Sequence, residues 1–351
     1  MSQSQWIFIQ PNDVWMFRDN KPFSAQENFV ARGQFPPNPQ VMTGAVRTYV
    51  YHRNPHHPIV VGENMDGLTL KGPYMARMNA SGKPERFFPA PLDLLHDAEN
   101  GVFSVLQVST KADFASNAPL NGWRPLQVPA RDKRDFNVKE AEGWLSEAQF
   151  TDYLAGKLKT GHLTSSRELF QSEERVGLAL DSRRKVNRQG LFYRAQFIRT
   201  CDDVGLLVGV SYSSALFDEV GMIGLGGEAR FGRYQHVNEP ESLVKADKGN
   251  LKIVLLTPAY FRGGWQPESG NWSEWVGDSA KLVSAALGKP QAISGWDMAK
   301  QEPKPLRHFV PTGSVFYFEN AEWKNKAFSE DANGGAPYSK MGFGTVAVAS
   351  W

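Results

Sequence analysis

The sequence predicts an α+β fold in which antiparallel sheets carry short helices, arranged as two domains. Its 351 residues exceed the ~150 typical of one domain. Residues 175–181 and 191–199 alternate apolar and polar side chains, which predicts two hairpin strands. The C-terminal third runs strand, helix, strand, strand, strand, an order typical of a ferredoxin-like unit. We place the domains at residues 1–246, with large insertions, and 247–351.

The first elements follow from local signals. Residues 6–9 form an apolar run that predicts a strand. Asn38 and Pro39 predict a helix start, because Asn caps the first turn and Pro fits within it. Ser146 and Gln149 form a capping box and predict a second helix. These signals are local and do not depend on the tertiary fold.

The later elements follow from periodicity and breakers. The sequence predicts strands at residues 206–212, 251–257, 293–296, 314–318 and 342–351 and helices at residues 213–220 and 278–287. The polar stretch 238–250 is the predicted linker between the domains, and the irregular stretch 111–135 is a predicted insertion.

Residues 224–233 (GLGGEARFGR) have the clearest binding chemistry, because four glycines are combined with Arg230 and Arg233. Glycine allows positive φ and close approach of the backbone to a ligand. Backbone amides beside guanidinium groups bind anions such as phosphate. A smaller glycine loop at residues 340–344 (KMGFG) predicts a second cradle of this kind. A glycine-rich turn without a ligand stays open as the alternative.

Residues 224–229 also match the dinucleotide fingerprint G-x-G-x-x-A. That fingerprint follows a strand and opens a helix, whereas here a predicted helix precedes it and residues 231–234 favour extended chain. The P-loop pattern does not occur in the sequence. A nucleotide cofactor is therefore disfavoured, and no cofactor is expected.

The charge distribution points to a polyanion. The formal net charge is only +2, so bulk charge does not predict binding to nucleic acid. Between residues 182 and 201, however, the positive residues are not interrupted by any acid. The cluster at the predicted hairpin tip consists of Arg183, Arg184, Lys185 and Arg188. It predicts contact with a nucleic acid backbone, with a solvated hairpin tip as the alternative.

The single cysteine, Cys201, has no partner in the chain for a disulfide, which suits a reducing compartment. The N-terminus has neither the basic region nor the apolar run of a signal peptide. The longest apolar stretch, residues 205–212, is too short to span a bilayer. We expect a cytoplasmic protein with no membrane partner.

Several motifs together resemble those of a known family. They are residues 17–23 (FRDNKPF), 35–37 (FPP), 43–47 (TGAVR), 174–177 (ERVG), 190–193 (GLFY), 225–230 (LGGEAR), 311–317 (PTGSVFY) and 342–344 (GFG). On these motifs the chain is similar, along nearly its whole length, to the third-subunit family of the Cmr complex. That complex is the type III-B CRISPR effector, and the family belongs to the RAMP superfamily.

The resemblance implies two ferredoxin-like (RRM-like) domains in a ribonucleoprotein subunit without its own nuclease. It implies that the subunit caps the 5′ tag of the guide RNA and docks the large polymerase-like subunit onto the RAMP backbone subunit. The motifs assign RNA contacts to Arg18, Gly44, Arg47, Gly226, Gly227 and Arg230. The aromatic stacking motif of RRM domains is not evident, so loop contacts are expected rather than base stacking on a sheet.

An enzyme of the same superfamily is the alternative, a metal-independent endoribonuclease that processes guide precursors. His52 lies where such relatives place a general acid or base, but the sequence names no partner for it. The seven histidines and single cysteine show no metal-binding spacing. We therefore predict a non-catalytic RNA-binding subunit, and a protein adaptor without RNA contact is a third possibility.

Overall fold

The structure is a computed structural model that describes residues 3–18, 30–31, 33–61, 65–110, 122–129, 139–180, 187–297, 301–333 and 337–351. These residues form a mixed α+β fold with several antiparallel sheets, as the sequence predicts. The helices are α1 (Pro39–Arg53), α2 (Pro58–Val61), α3 (Glu147–Leu154), α4 (Ser166–Leu169), α5 (Ser273–Val276) and α6 (Tyr338–Met341), with a 3-10 turn at Met65–Gly67.

The strands in the first half of the chain are β1 (Gln3–Pro11), β2 (Val30–Ala31), β3 (Thr69–Met78), β4 (Pro84–Pro89), β5 (Leu94–Asp97), β6 (Val102–Val105), β7 (Gln107–Val108), β8 (Leu126–Gln127), β9 (Lys139–Glu140), β10 (Trp144–Ser146) and β11 (Phe170–Leu180). Those in the second half are β12 (Asn187–Thr200), β13 (Val204–Tyr212), β14 (Val220–Gly224), β15 (Phe231–Val237), β16 (Lys248–Leu255), β17 (Lys281–Ala286), β18 (Gln291–Ile293), β19 (Trp296–Asp297), β20 (Glu302–Pro303), β21 (Arg307–Phe309), β22 (Val315–Glu322) and β23 (Val346–Ser350).

The chain divides into two compact units, each assembled from three segments. Unit 1 consists of Met1–Pro84, Ser166–Asn238 and Ala292–Arg307. Unit 2 consists of Glu85–Ser165, Glu239–Gln291 and His308–Trp351. These units are interleaved along the sequence, so they do not coincide with the single boundary that we place after residue 246.

Unit 1 is built on five antiparallel strands in the order β3-β13-β1-β15-β14. The central strand β1 is buried from Gln5 to Ile9. Helix α1 begins as predicted, because the Asn38 side chain accepts from the amides of Gln40 and Val41. The antiparallel hairpin β11–β12 is also confirmed, and the side chains of residues 177–193 within it lie outside the described set.

Unit 2 contains a four-stranded antiparallel sheet in the order β17-β22-β16-β23. Its core is rich in aromatic rings packed around Phe328, which is fully buried. The Ser146 capping box is confirmed at the start of α3, where the Ser146 and Gln149 side chains each accept from the other residue's amide. These contacts explain why the element starts were predictable from local sequence.

A buried polar cluster in unit 2 joins one carboxylate, two tyrosine hydroxyls and one lysine. The Asp93 carboxylate accepts from the hydroxyls of Tyr153 at 2.7 Å and Tyr317 at 2.5 Å. The Lys252 ammonium lies 3.8 Å from the centre of the Tyr153 ring, and burial lowers the pKa of this amine. Since every group has a partner, the cluster is a structural feature of the core.

Two of the predicted helices are wrong. Residues 213–219 are irregular and lead into strand β14 at Val220. Residues 281–286, within the second predicted helix, form strand β17, which pairs with β22. The residues of β17 include Leu and Ala, which favour helix, but pairing with a strand distant in sequence overrides this weak preference. The predicted strand at residues 293–296 is divided between the ends of β18 and β19.

Candidate functional site

Unit 1 contains a cavity of about 660 Å³ between helix α1, the segment after β1 and the β14–β15 hairpin. Three arginines and one histidine line it: Arg18, Arg53, Arg230 and His52. None of the described lining residues is a carboxylate. We call this space the arginine cavity, and its lining favours an anionic ligand.

Helix α1 presents one face to the arginine cavity. Val41, Gly44, Ala45, Thr48 and His52 line it at the spacing of a single helical stripe. A Cβ atom placed on Gly44 would meet no atom within 4 Å, so the cavity is open at this point of the helix. The absence of a side chain lets a ligand approach the helix backbone closely.

The first glycine loop, which we define as residues 224–230, joins β14 to β15 and closes the opposite side of the cavity. Gly226 has φ of +89°, and a Cβ atom there would lie 2.6 Å from the carbonyl oxygen of Met16. Glu228 and Ala229 also adopt positive φ, at 57° and 51°. These conformations cost free energy in non-glycine residues and are concentrated at functional sites.

The glycine loop is less open than the sequence suggested. The amide of Gly227 donates to the Met16 carbonyl at 2.8 Å, so it is not a bare donor. The buried Leu225 anchors the loop, and its amide donates to the Arg230 carbonyl at 2.9 Å. The internal bonds hold the backbone in one shape, which leaves the arginine side chains as the main source of positive charge.

Arg230 extends from this loop over the Phe197 ring, with its guanidinium carbon 4.9 Å from the ring centre. Its Nη1 lies 3.7 Å from an Asp13 carboxylate oxygen, a long contact for an ion pair. Its Nε is buried and has no hydrogen-bond partner among the described residues. The side chain is 28% exposed and its contact with Asp13 is long, so the Nη groups retain hydrogen-bonding capacity for an acceptor such as phosphate.

Asp13 connects this loop to the hairpin β11–β12. Its carboxylate accepts from Arg199 at 3.0 Å and from Arg175 at 3.3 Å. Hydrogen bonds from Arg199 and then Arg175 hold the pKa of the Asp13 carboxyl below its usual value. Glu173 pairs with the same two arginines, and their hydrogen bonds lower the pKa of its carboxyl as well. Three arginines share two carboxylates here, so the network retains one positive charge.

The other two arginines approach the arginine cavity from different elements. Arg18 is exposed, and its backbone forms a bridge with Gly33. Arg53 lies in the last turn of α1, where its guanidinium carbon is 3.8 Å from the centre of the Tyr49 ring. Arg53 also pairs with Asp218 at 3.0 Å, in a contact between two exposed side chains. Exposed pairs of this kind exchange readily for another anion.

The structure brings together five of the predicted RNA-contact residues and separates others. Arg18, Gly44, Gly226, Gly227 and Arg230 all line the arginine cavity. The Arg47 guanidinium instead donates to the carbonyls of Ile59 and Val60, because α2 packs beside that face of α1. Arg233 is exposed on β15 and lies opposite Met222. Residues 183–185 lie outside the described residues, and Arg188 is described only as backbone in β12.

Sequence reasoning did not select Arg53, Thr48 or Phe231, although all three line the cavity. Thr48 lies four positions after Gly44 along α1, so extending the helical stripe would have indicated it. Arg53 lies nine positions after Gly44, half a helical turn away from that stripe, so it needed the tertiary fold. Phe231 needs the register of β14 and β15, which the sequence alone does not provide.

The second glycine loop, residues 340–344, is a different structure. Gly342 caps α6 with φ of +99°, and its amide donates to the Tyr338 carbonyl. The amide of Gly344 donates to the Pro258 carbonyl at 2.8 Å, and Phe343 is fully buried. The prediction of an anion cradle here is wrong, because these amides bond within unit 2.

The sequence matches the family described as CRISPR-associated protein (Cas_Cmr3) over residues 7–351. The chain belongs to this family. The resemblance that its motifs indicated, to the third subunit of the type III-B CRISPR effector, is thereby confirmed. No curated protein matches the sequence.

Several solved structures are similar at low identity. Chains from two cryo-EM structures of the type III-B Cmr-beta complex bound to cognate target RNA, one also with AMPPNP, are 13% and 15% identical to this chain. Each alignment covers 89% of this chain and 86% of the other, with TM-scores of 0.48 and 0.49. A chain of the type III-A Csm3–Csm4 subcomplex is 14% identical, with 90% and 94% coverage and a TM-score of 0.40.

No helix among the described residues has both the length and the apolar character needed to cross a membrane. Over the same residues, no three side chains of His, Cys, Asp or Glu are grouped so that they could hold a metal ion.

Proposed function

We propose that this chain is a non-catalytic subunit that binds the 5′ tag of the CRISPR guide RNA in the arginine cavity. The observation that carries the proposal is the convergence of Arg18, Arg53 and Arg230 on a cavity with no carboxylate among its described lining residues. Arginine binds phosphate through charge-assisted, often bidentate, hydrogen bonds. The open position at Gly44 gives a sugar–phosphate chain room against the helix.

The proposal includes docking of the large polymerase-like subunit and of the RAMP backbone subunit. Membership of the Cas_Cmr3 family supports this assembly role. It predicts that the purified chain retains both subunits when the complex is reconstituted. Retention of guide RNA without either protein would contradict this part alone.

The proposal also includes a ferredoxin-like fold for each unit. In unit 1 four strands lie side by side in the order β3-β13-β1-β15. Numbered by their order along the chain, these are the second, third, first and fourth strands. In unit 2 the order β17-β22-β16-β23 is the same arrangement. Helix α5 connects β16 to β17, and helix α6 connects β22 to β23. This sequence of elements is the β-α-β-β-α-β pattern in unit 2.

The salt dependence of RNA binding tests the arginine cavity. We would measure the affinity of the full chain for a 5′-tagged guide RNA at several salt concentrations, for Arg230→Gln, Arg18→Gln and the control Lys83→Gln. Each lost phosphate contact should reduce the slope of log K against log salt by about 0.7. Lys83 is exposed in the turn after β3 and does not line the cavity, so its variant should retain the wild-type slope. Unchanged slopes in both arginine variants would overturn the assignment.

A guide-processing endoribonuclease is the second candidate, because His52 lines the same cavity beside Arg53. A histidine acid–base mechanism needs a second titrating group close by. The only tyrosine in the described lining, Tyr49, already bonds the Tyr234 hydroxyl at 2.5 Å. Incubation with repeat RNA in EDTA decides the question: cleavage that His52→Ala abolishes would replace the non-catalytic proposal.

A further inference from the structure

The β14–β15 hairpin carries an exposed apolar face beside the arginine cavity. Val220, Met222 and Phe231 are 69%, 51% and 48% exposed. The register places Gly224 opposite Phe231 and Met222 opposite Arg233, so these side chains share one face of the hairpin. Strand β14 is the last in the strand order of its sheet. An exposed cluster of this kind on a sheet face calls for an explanation.

Phe231 is the member of this cluster that reaches the glycine loop. It lines the arginine cavity together with Met222 and Gly224. A Cβ atom on Gly224 would lie 3.6 Å from Cε1 of the Phe231 ring, so the ring packs over a residue without a side chain. The ring is therefore supported by backbone while about half of the side chain stays exposed.

Arginines lie on both sides of this ring in the sequence. Arg230 precedes it and lines the cavity, and the exposed Arg233 follows two positions later on the same strand face. Aromatic rings next to cationic side chains are the combination that proteins use to hold single-stranded nucleic acid, with bases on the rings and phosphates on the cations. The apolar surface of a protein partner could cover the ring but would leave the two arginines without a counter-charge, so we favour nucleic acid over protein here.

We propose that Phe231 stacks against a base of the guide RNA whose phosphate backbone lies in the arginine cavity, with Arg233 holding an adjacent phosphate. This inference rests on the proposed function and deepens it, because it names how a base of the tag is contacted. It differs from the sequence prediction, which expected loop contacts without stacking.

Substitutions at Phe231 test the stacking contact in the full chain. A 5′-tagged guide RNA carrying 2-aminopurine at successive tag positions reports stacking through fluorescence quenching. Phe231→Leu and Phe231→Ala should weaken binding about 5- to 150-fold and abolish quenching at one position. Phe231→Trp should restore both. The salt dependence should keep the wild-type slope in all three variants, because no phosphate contact is lost.

Val220→Ala is the matched control, since it removes exposed apolar surface from the same face of the β14–β15 hairpin, outside the cavity lining. It should bind the RNA as the wild type does. Thermal unfolding of each variant checks that the fold is retained. Wild-type affinity and quenching in folded Phe231→Leu would overturn the inference.

Two further outcomes separate the possible failures. If Phe231→Ala keeps RNA affinity but loses the large polymerase-like subunit, the face is a protein interface and the stacking inference is wrong. If Arg230→Gln changes the salt slope while Phe231→Leu has no effect, the proposed function stands and only stacking fails. If neither variant affects RNA binding, both proposals fail.

Discussion

The two glycine loops contain similar residue types, yet the structure uses them differently. The first glycine loop borders a cavity and has Arg230 at its end, with residual hydrogen-bonding capacity on the guanidinium. The second is enclosed by unit 2, and its glycine amides donate to carbonyls of the same unit. Glycine content alone therefore does not indicate a binding site. Whether a glycine loop binds a ligand depends on the neighbouring side chains and on whether its amides already have partners.

The reason for glycine also differs between the loops. At Gly344 a Cβ atom would lie 2.5 Å from the carbonyl carbon of Phe328, in the core of unit 2. At Gly226 it would meet the Met16 carbonyl at the edge of a cavity. At Gly44 it would meet nothing. Alanine substitution at these three positions should therefore separate packing, loop shape and ligand access.

Gly344→Ala should have the largest effect. The new methyl group would overlap backbone in a packed core at φ of +65°, so unfolding free energy should fall by about 2–5 kcal/mol. Urea unfolding of the full chain measures this. Gly82→Ala is the control, because Gly82 has φ of +74° and open space, so it should lose only about 1 kcal/mol. Equal losses in the two variants would show that packing at Gly344 is not important.

Gly226→Ala should have an intermediate effect on stability and a clear effect on binding. Displacement of the Met16 carbonyl and strain at φ of +89° should cost about 1–3 kcal/mol. Because the displaced loop carries Arg230, guide RNA affinity should fall at least about tenfold, as 1.4 kcal/mol corresponds to tenfold. Filter binding measures this loss. If the folded variant binds guide RNA with wild-type affinity, the first glycine loop has only a structural role, like the second.

Gly44→Ala should change stability and binding in opposite directions. Alanine in a helix interior is more favourable than glycine by about 0.5–1 kcal/mol, and the position is open. The methyl group would occupy the point where we place the sugar–phosphate chain, so RNA affinity should fall while the melting temperature rises. A stabilised variant with unchanged RNA affinity would show that the ligand does not approach this face of α1.

Acidic pH should have the smallest effect, through the carboxylates that link the first loop to the hairpin. The pKa values of Asp13 and Glu173 are lowered by Arg199 and Arg175, so their contribution to stability is present above the unfolded-state pKa of about 4 and is lost as pH falls through the lower folded-state values. Asp13→Asn should flatten the pH dependence of the melting temperature in this range. An unchanged profile would mean that the Asp13 contacts do not contribute to stability.

The sequence predicted elements whose signals are local. The cap at Asn38 and the capping box at Ser146 determine helix starts with residues two or three positions away. Strand β17 was missed because its partner β22 lies about thirty residues later and helix propensity dominates locally. The division into interleaved units likewise depends on contacts that no local pattern records.

The candidate site was predictable in part. The combination of several glycines with Arg230 in residues 224–230 is a clear sequence signal, and the structure places Gly224, Gly226, Gly227 and Arg230 on one cavity. The orientation of Arg47 was not predictable, because it depends on carbonyls presented by α2. The exposure of Phe231 depends on strand register and on the absent side chain at Gly224. The sequence alone therefore does not predict side-chain directions that depend on the tertiary fold.

The interleaving of the two units has a consequence for synthesis on the ribosome. Strand β1 pairs with β13 and β15, which are translated about 200 residues later, roughly 10–40 s at typical elongation rates. Ile7 and Ile9, fully buried in the finished sheet, have no strand to pair with during that interval. We expect the nascent chain to depend on chaperones, and we expect fragments that end before residue 204 to fold poorly, because they lack both strands that pair with β1.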